Sequence, residues 1–469
     1  MSETTVKIDT GDGPVDVTHA LKQRSGRADD DAIKQRSGRA EVKPRDTRKR
    51  AVRVRAGTLH AAVKDVAGLV PGRTEIPILS HVEFQVRDGS ILVTATDLDC
   101  WVSRSLASND RDGPSGDDWA ATVRGFAVAM PGKALEKILK GFDPDAMVTL
   151  ALETDDGAPD DLTETYTGQV TITSGRARFR IDCLPAADFP AVPPIGEAVD
   201  FAMACSALDD AFARVAHAVS TEETRYYLNG VFWHLWQEQG AASELRMVAT
   251  DGSRLARLSL DVPEGAMRLP DTIVPRRTVT LLEKLLGQAV KTGENSDHVP
   301  EVEIERGLNS DLLRYAMPAA DGGEVVVVSK CVDGTFPEYA RIFSGIVAVD
   351  DPAKVTLPRA ALLSAIQRIA ALTDSKSRAV RFAAADDVAT VSVVVAGLGG
   401  GSEDLTVVYE GRPIAVGFNS EFWRQALTAI ASDDVRMTFG DDAAGPVLVE
   451  AVTSDDGTRL LQVLMPMKV

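Results

Sequence analysis

Cysteine is scarce in this chain and never paired in sequence. Cys100, Cys183, Cys205 and Cys331 form no CxxC motif and no metal-ligand spacing. Buried free thiols in a reduced cytoplasmic compartment are therefore expected. The six histidines make no HExxH or related pair, so neither a metal nor another cofactor is expected. No apolar run approaches the roughly eighteen residues that a membrane helix needs. The N-terminus also lacks the apolar core of a signal peptide. P-loop and GxSxG motifs are missing as well, which removes the commonest phosphate-binding and hydrolase signatures. Aromatics supply only 5% of the residues, so the cores must be largely aliphatic.

Positive charge is in deficit too, with a formal net charge of −18 over 469 residues. On its face this argues against a nucleic-acid binder. The distribution is uneven, however. Residues 1–50 carry +3, which leaves −21 on the remainder. An acidic body still binds DNA if its basic residues are gathered on one surface. Residues 1–50 are polar and charge-rich, with Lys22–Ala28 (KQRSGRA) recurring at Lys34–Ala40, and they read as a disordered tail. Two readings stay open for it: a weak tether to nucleic acid or a partner through Arg48-Lys49-Arg50, or a dispensable extension.

Length suggests about three domains, and from Ala51 onward the chain repeats itself three times. Helix-period segments open each copy at Ala56–Val70, Ser206–Ser220 and Pro358–Thr373. Strand-like stretches follow, and in two copies they hold the same Ala-Thr-Asp core, at Ala95–Asp97 and Ala249–Asp251. Second helices start near Met130, Val274 and Phe418, and β-rich segments close the copies at Arg178–Pro190, Val326–Pro337 and Leu460–Val469. Corresponding points lie roughly 150 residues apart, the last copy being shorter. Pro190–Pro194 and Val349–Pro352 are natural hinges. The division expected is a tail at 1–50 and domains at 51–195, 196–347 and 348–469.

The second helix of the first copy separates two stripes. Leu135, Ile138, Leu139 and Phe142 share one face, and Lys133, Lys137 and Lys140 share another. In the second copy Arg276, Arg277 and Lys284 stand opposite Leu281, Leu282 and Leu285. Lys64, Arg214, Arg368 and Arg424 add single cations on the other helices. Helices lining one common surface would make it basic while the outside repels DNA. Contacts to phosphate alone would be independent of sequence and sensitive to salt.

Several segments carry a family resemblance: Ile76–Leu79, Leu184–Pro190 (LPAADFP), Arg225–Gly230 (RYYLNG), Val248–Ala256 (VATDGSRLA), Val332–Tyr339 (VDGTFPEY) and Met465–Met467. In this order they resemble the β subunit of bacterial DNA polymerase III, the sliding clamp, from about Val52 to Val469. The resemblance implies an α+β fold of three topologically similar clamp domains, with helices lining a central hole and antiparallel sheets outside. It also implies a head-to-tail homodimeric ring and a cytoplasmic, non-enzymatic processivity subunit. The implied partners are double-stranded DNA, the replicative DNA polymerase, the clamp loader, other clamp-motif proteins and a second copy of the chain, with no membrane.

By position, the family's peptide pocket falls on Leu228, Thr250, Gly252, Arg254 and Leu255, on Pro337, Arg341 and Ile342, and on Val463, Leu464, Met465, Pro466 and Met467. DNA contacts outside the helices fall on Arg73, Tyr226 and Tyr227. Ser253 stands where the family usually has histidine, Pro446 where a small hydroxyl residue is common, and Lys468 where arginine is frequent. Glu222 and Glu223 make the tyrosine turn more acidic than is usual. Insertions are expected at Ser108–Trp119, Thr154–Thr165 and Gln288–Val299.

Two rival readings compete with this one. One is a clamp paralogue serving repair or a mobile element. The other is a metal-dependent phosphoryl-transfer enzyme using Asp97, Asp99 and Asp251. Recurrence of Ala-Thr-Asp at equivalent repeat positions suits a structural turn better than a single catalytic centre.

Overall fold

The computed structural model describes residues 50–468 except 88–89, 107–124, 153–165, 167, 239, 241, 295–297, 350, 374–377, 441–443 and 454–457. Arg48–Val469 forms one compact unit. The expectations for the tail (apart from Arg50), for Ser108–Trp119 (all outside) and for Thr154–Thr165 (all outside) lie beyond the described residues. Gln288–Val299 is no simple inserted loop, since its first half extends a helix to Gly293.

The first two repeats have the order strand, helix, four strands, helix, three strands, and the third adds a short fifth strand between its helices. The first comprises β1 (Ala51–Arg55), α1 (Ala56–Ala67), β2 (His81–Arg87), β3 (Ser90–Thr96), β4 (Cys100–Leu106), β5 (Phe126–Pro131), α2 (Gly132–Lys140), β6 (Met147–Leu152), β7 (Gly168–Ser174) and β8 (Ala177–Pro185). The second comprises β9 (Ala198–Ala204), α3 (Cys205–Val215), β10 (Gly230–Trp236), β11 (Glu244–Thr250), β12 (Arg254–Asp261), β13 (Thr272–Pro275), α4 (Arg276–Gly293), β14 (Glu301–Gly307), β15 (Leu312–Pro318) and β16 (Glu324–Lys330). A connecting helix, α5 (Ala340–Val347), precedes the third. That repeat holds β17 (Ala353–Pro358), α6 (Arg359–Ala370), β18 (Ala379–Ala385), β19 (Val388–Val395), β20 (Gly399–Thr406), a short β21 (Val408–Glu410), β22 (Ile414–Asn419), α7 (Ser420–Thr428), β23 (Asp434–Phe439), β24 (Val447–Ala451) and β25 (Arg459–Leu464).

Local chemistry explains where the helices begin. Pro131, Pro275 and Pro358 end strands and immediately precede α2, α4 and α6. Proline's fixed φ, with no N–H to satisfy, suits that junction. The start of α7 is capped differently: the Asn419 side chain accepts from Glu421 N and Phe422 N.

All paired strands are antiparallel, and the sheets run through the repeat boundaries. β4 of the first repeat pairs with β16 of the second, Val102 opposite Val327. β12 of the second pairs with β25 of the third, Leu255 opposite Val463. Among the described residues, β20 pairs only with β19 and the stretch 177–183 of β8 only with β7; β1, β9, β13, β21 and β22 are the other strands that end a sheet. Helices pack in pairs within each repeat: α1 on α2, α3 on α4, α6 on α7. Their buried faces join the strand interiors in one extended apolar core that includes Leu59, Leu135, Phe212, Leu282, Leu362 and Trp423. A second, smaller core lies under α5, where Tyr339, Phe343 and Ile346 meet Leu228, Leu255, Leu448 and Val463.

Candidate partner pocket and nucleic-acid interface

The repeated aspartates build hairpin turns. Asp97 Oδ1 accepts from the backbone N–H groups of Asp99 and Cys100, and Asp251 Oδ1 accepts from those of Ser253 and Arg254. Thr96 and Thr250 repeat the pattern one residue earlier, their hydroxyls donating to Cys100 O and Arg254 O at 2.8 and 2.6 Å. Asp97 also pairs with Arg277, Asp99 with Lys330 and Asp251 with Arg254. These carboxylates are thus occupied in turns and ion pairs. Burial pushes the Cys183, Cys205 and Cys331 thiols up to about 11 and Cys100 to about 12, so all four stay protonated and weakly nucleophilic at neutral pH.

The predicted basic residues separate into two groups. Lys133, Lys137 and Lys140 are exposed along α2, while Leu135 and Leu139 are buried beneath them. Lys133 Nζ donates to Pro71 O at 3.2 Å, which brings α2 beside the loop that carries exposed Arg73. Across the first seam, Lys284 Nζ reaches Lys64 O at 3.4 Å and Arg277 donates to Leu69 O at 3.0 Å, so α4 stands beside α1. Arg276 is exposed at the start of α4. Arg277 is in addition held by Asp97, and the other cations are held by acids too: Arg214 by Asp210 at 2.7 Å, Arg368 by Glu403 at 2.5 Å and Arg424 by Glu421 at 2.6 Å. Tyr226, 55% exposed, stands edge-on to Tyr227 in the 3-10 turn Glu223–Leu228.

The predicted pocket residues converge on the seam between the second and third repeats, though not all on one face. Leu228, Leu255 and Val463 are buried side by side in the smaller core. Ile342 on α5 and Met465 beyond β25 stay about two-fifths exposed, at 39% and 41%, and Pro337 and Arg341 are exposed too. The arrangement is an apolar floor with an apolar rim. Gly252 turns the β11–β12 hairpin at φ 90°, where any Cβ would lie 2.7 Å from Arg225 Nη1. Ser253 O accepts from Met465 N and Gly417 O from Met467 N, both at 2.9 Å, which fixes the C-terminal segment with Pro466 across the seam. Arg254 and Leu464 point the other way, as strand alternation requires. Leu464 joins the main core. Arg254 reaches Asp251 and Gln425 and lies 4.1 Å over the Phe422 ring.

Three features were not found from sequence. Helix α5 covers the floor with Phe343 and Ile346, whose i, i+3 spacing in Ala340–Val347 is the signal that would have revealed it. His234 and Tyr339 form a hydrogen-bonded pair beneath that helix. Buried Arg104 reaches across the first seam to Asp321. Neither long-range pair has a local sequence signal.

Comparison with known proteins matches this geometry along the chain. Models of the N-terminal, central and C-terminal domains of the DNA polymerase III beta subunit match residues 51–193, 202–338 and 348–468. The Beta sliding clamp of Caulobacter vibrioides is 30% identical over 417 residues, covering 89% of this chain and 99% of that protein. That of Escherichia coli K12 is 28% identical, covering 87% and 96%. Among solved structures, the sliding clamp of Bartonella birtlesii bound to griselimycin superposes with a TM-score of 0.75 at 28% identity, covering 90% of this chain and all of that one. A Caulobacter crescentus clamp with polyethylene glycol at a putative beta-motif tethering region gives 0.75 at 29%, covering 90% and 99%. With three matched domains in order and near-complete coverage of its relatives, the chain belongs to the DNA polymerase III beta subunits, the bacterial sliding clamps, which are non-catalytic processivity factors.

Proposed function

We propose that two copies of this chain close head-to-tail into a ring around duplex DNA, gripping phosphates from within and holding the polymerase by a peptide in the Leu228–Leu255–Val463 pocket. The carrying observation is the open pair of edges on β8 and β20. Within the chain, the strand equivalent to β20 pairs with the strand equivalent to β8 at both repeat boundaries. Continuing that pattern joins β20 of one copy to β8 of the next, and a second joint closes the ring. Charge favours the match, since β8 carries Arg178 and Arg180 and β20 carries Glu403 and Asp404. Unpaired edges would otherwise invite unspecific strand addition. The domain bounds we adopt are 51–195, 196–347 and 348–469, and the site of action is the bacterial cytoplasm.

Phosphate contacts are assigned to Arg73, Lys133, Lys137, Lys140, Arg276, Arg277 and Lys284, with Tyr226 and Tyr227 at a single-stranded junction. Arg214, Arg368 and Arg424 join them when DNA competes for the acids that now hold them. The pocket takes a short segment ending in bulky apolar residues from the polymerase, the clamp loader and other clamp-motif proteins. Topological retention tests the reading: loaded protein should stay on nicked circular DNA at high salt and leave when the circle is cut. Loss at equal rates from circular and linear DNA overturns it.

A further inference from the structure

Below α5, the outer face of the second repeat's sheet holds an aromatic stack that the pocket itself does not use. Phe336 lies 4.7 Å from Phe232 at 8° between ring planes, and Phe232 lies 4.8 Å from His234 at 18°. Tyr339 stands edge-on to both His234 and Phe343. His234 Nδ1 lies 3.1 Å from Leu235 O, and a carbonyl can only accept, so that nitrogen carries the proton. Nε2 of the neutral ring is then an acceptor, and the Tyr339 hydroxyl donates to it at 2.7 Å. Both partners are buried, His234 at 6% and Tyr339 at 5% exposure.

Tyr339 is the residue immediately before α5, and Ile342 and Arg341 follow within one turn. We propose that His234 is a positioning residue for the partner pocket: by anchoring Tyr339 it sets where α5 presents Ile342 and Arg341 against Leu255 and Val463. This rests on the pocket reading above. The neighbourhood opposes a charge on the ring. Burial holds the imidazole below its ordinary value and Arg246 and Arg257 add to this, while the Leu235 carbonyl and Asp271 pull the other way. Glu244 and Tyr339 complete the polar groups around it. Acid therefore adds a third cation beside two buried arginines and loosens the anchor.

The test is a fluorescence-anisotropy titration of a labelled ten-residue peptide ending in Leu-Phe, with the full chain. His234→Phe keeps a stacking ring but removes the acceptor for the Tyr339 hydroxyl, leaving it only its contact with Arg246, and Tyr339→Phe leaves Nε2 unpaired. Each should weaken binding about fivefold, the worth of one buried hydrogen bond. The double variant should be no weaker than either single one, because it removes both unpaired groups together. His234→Gln, whose side-chain oxygen can accept from Tyr339, should restore most of the affinity and abolish the loss that wild type shows in acid, below the ordinary imidazole range. Wild-type affinity in His234→Phe and Tyr339→Phe, or additive losses in the double variant, overturns the positioning role while leaving the pocket in place. Failure of wild type to bind the peptide at all overturns the pocket reading and this proposal with it.

Discussion

Arg104 of β4 is buried to 2% side-chain exposure with its Nε 3.5 Å from Asp65 on α1. Its outer nitrogen meanwhile pairs with Asp321 in the turn between β15 and β16. One guanidinium thus joins a helix of the first repeat to a turn of the second. Burial raises Asp65 above its ordinary range despite Arg104 and Lys284 beside it. Removing the arginine strands that carboxylate in a poorly solvated site. Arg104→Ala should therefore cost about 3–5 kcal/mol of stability, the usual result of breaking a buried pair from one side. Urea unfolding of the variant is the check, and a loss under 1 kcal/mol would show that water reaches the site freely.

Charge reversal on α2 should weaken the grip on DNA without unfolding the chain. Lys133, Lys137 and Lys140 are exposed, whereas the apolar side of the helix is buried. Lys133→Glu with Lys137→Glu should shorten retention on nicked circles, more so at low salt. The log–log salt dependence should flatten by about 0.9 for each phosphate that the variant no longer neutralises. Unchanged retention across a salt series would mark the stripe as merely solvated.

The C-terminal segment should be separable from ring closure. Met465 and Met467 are tied by backbone hydrogen bonds to Ser253, in another sheet from β20, and to Gly417 on β22, the edge of the four-stranded sheet opposite to β20. Deleting Met465–Val469 should abolish binding of a Leu-Phe peptide and leave the dimer intact by light scattering. Peptide binding at wild-type affinity would move the partner site elsewhere.

Ring closure should respond to charge. Arg178→Glu with Arg180→Glu should shift the dimer towards monomer at micromolar concentration. Glu403→Arg with Asp404→Arg in the same chain should recover it, since the pairing is between unlike copies of these edges. A dimer indifferent to all four changes would place the interface on other strands.

Acid should weaken the second seam through His217. Burial first, and Arg254 next, depress its pKa from 6.5 to about 4. The folded state therefore disfavours the proton that the unfolded state accepts. The stabilising contribution is whole above pH 6.5 and is lost as pH falls from 6.5 through 4, amounting to roughly 3 kcal/mol at most. His217→Gln should flatten this part of the pH–stability curve relative to wild type, while equal slopes would remove His217 from the account.

The parts of the fold legible in sequence are those written within a few residues. The Lys133–Lys140 and Leu135–Leu139 stripes follow from helical period alone, and the helix they predict is α2. The Thr96-Asp97 and Thr250-Asp251 turns are local hydrogen-bonding motifs, so their recurrence announced equivalent hairpins. Strand alternation also held the information that Arg254 and Leu255 face opposite ways, although the family pattern grouped them in one pocket.

What the sequence determined by itself is therefore the repeat, its element order and the local faces, because propensity, periodicity and turn chemistry act over a few residues. Tertiary structure decided which of those faces are occupied. Arg368 meets Glu403 across 35 residues, His234 meets Tyr339 across 105, and Arg104 meets Asp321 across 217. Each pair exists only because antiparallel registers bring distant strands, or a strand and a crossing segment, to one line. Short-range signals do not encode register between distant strands, so the engaged cations, the covered floor of the pocket and the two internal seams emerge only when the sheets assemble.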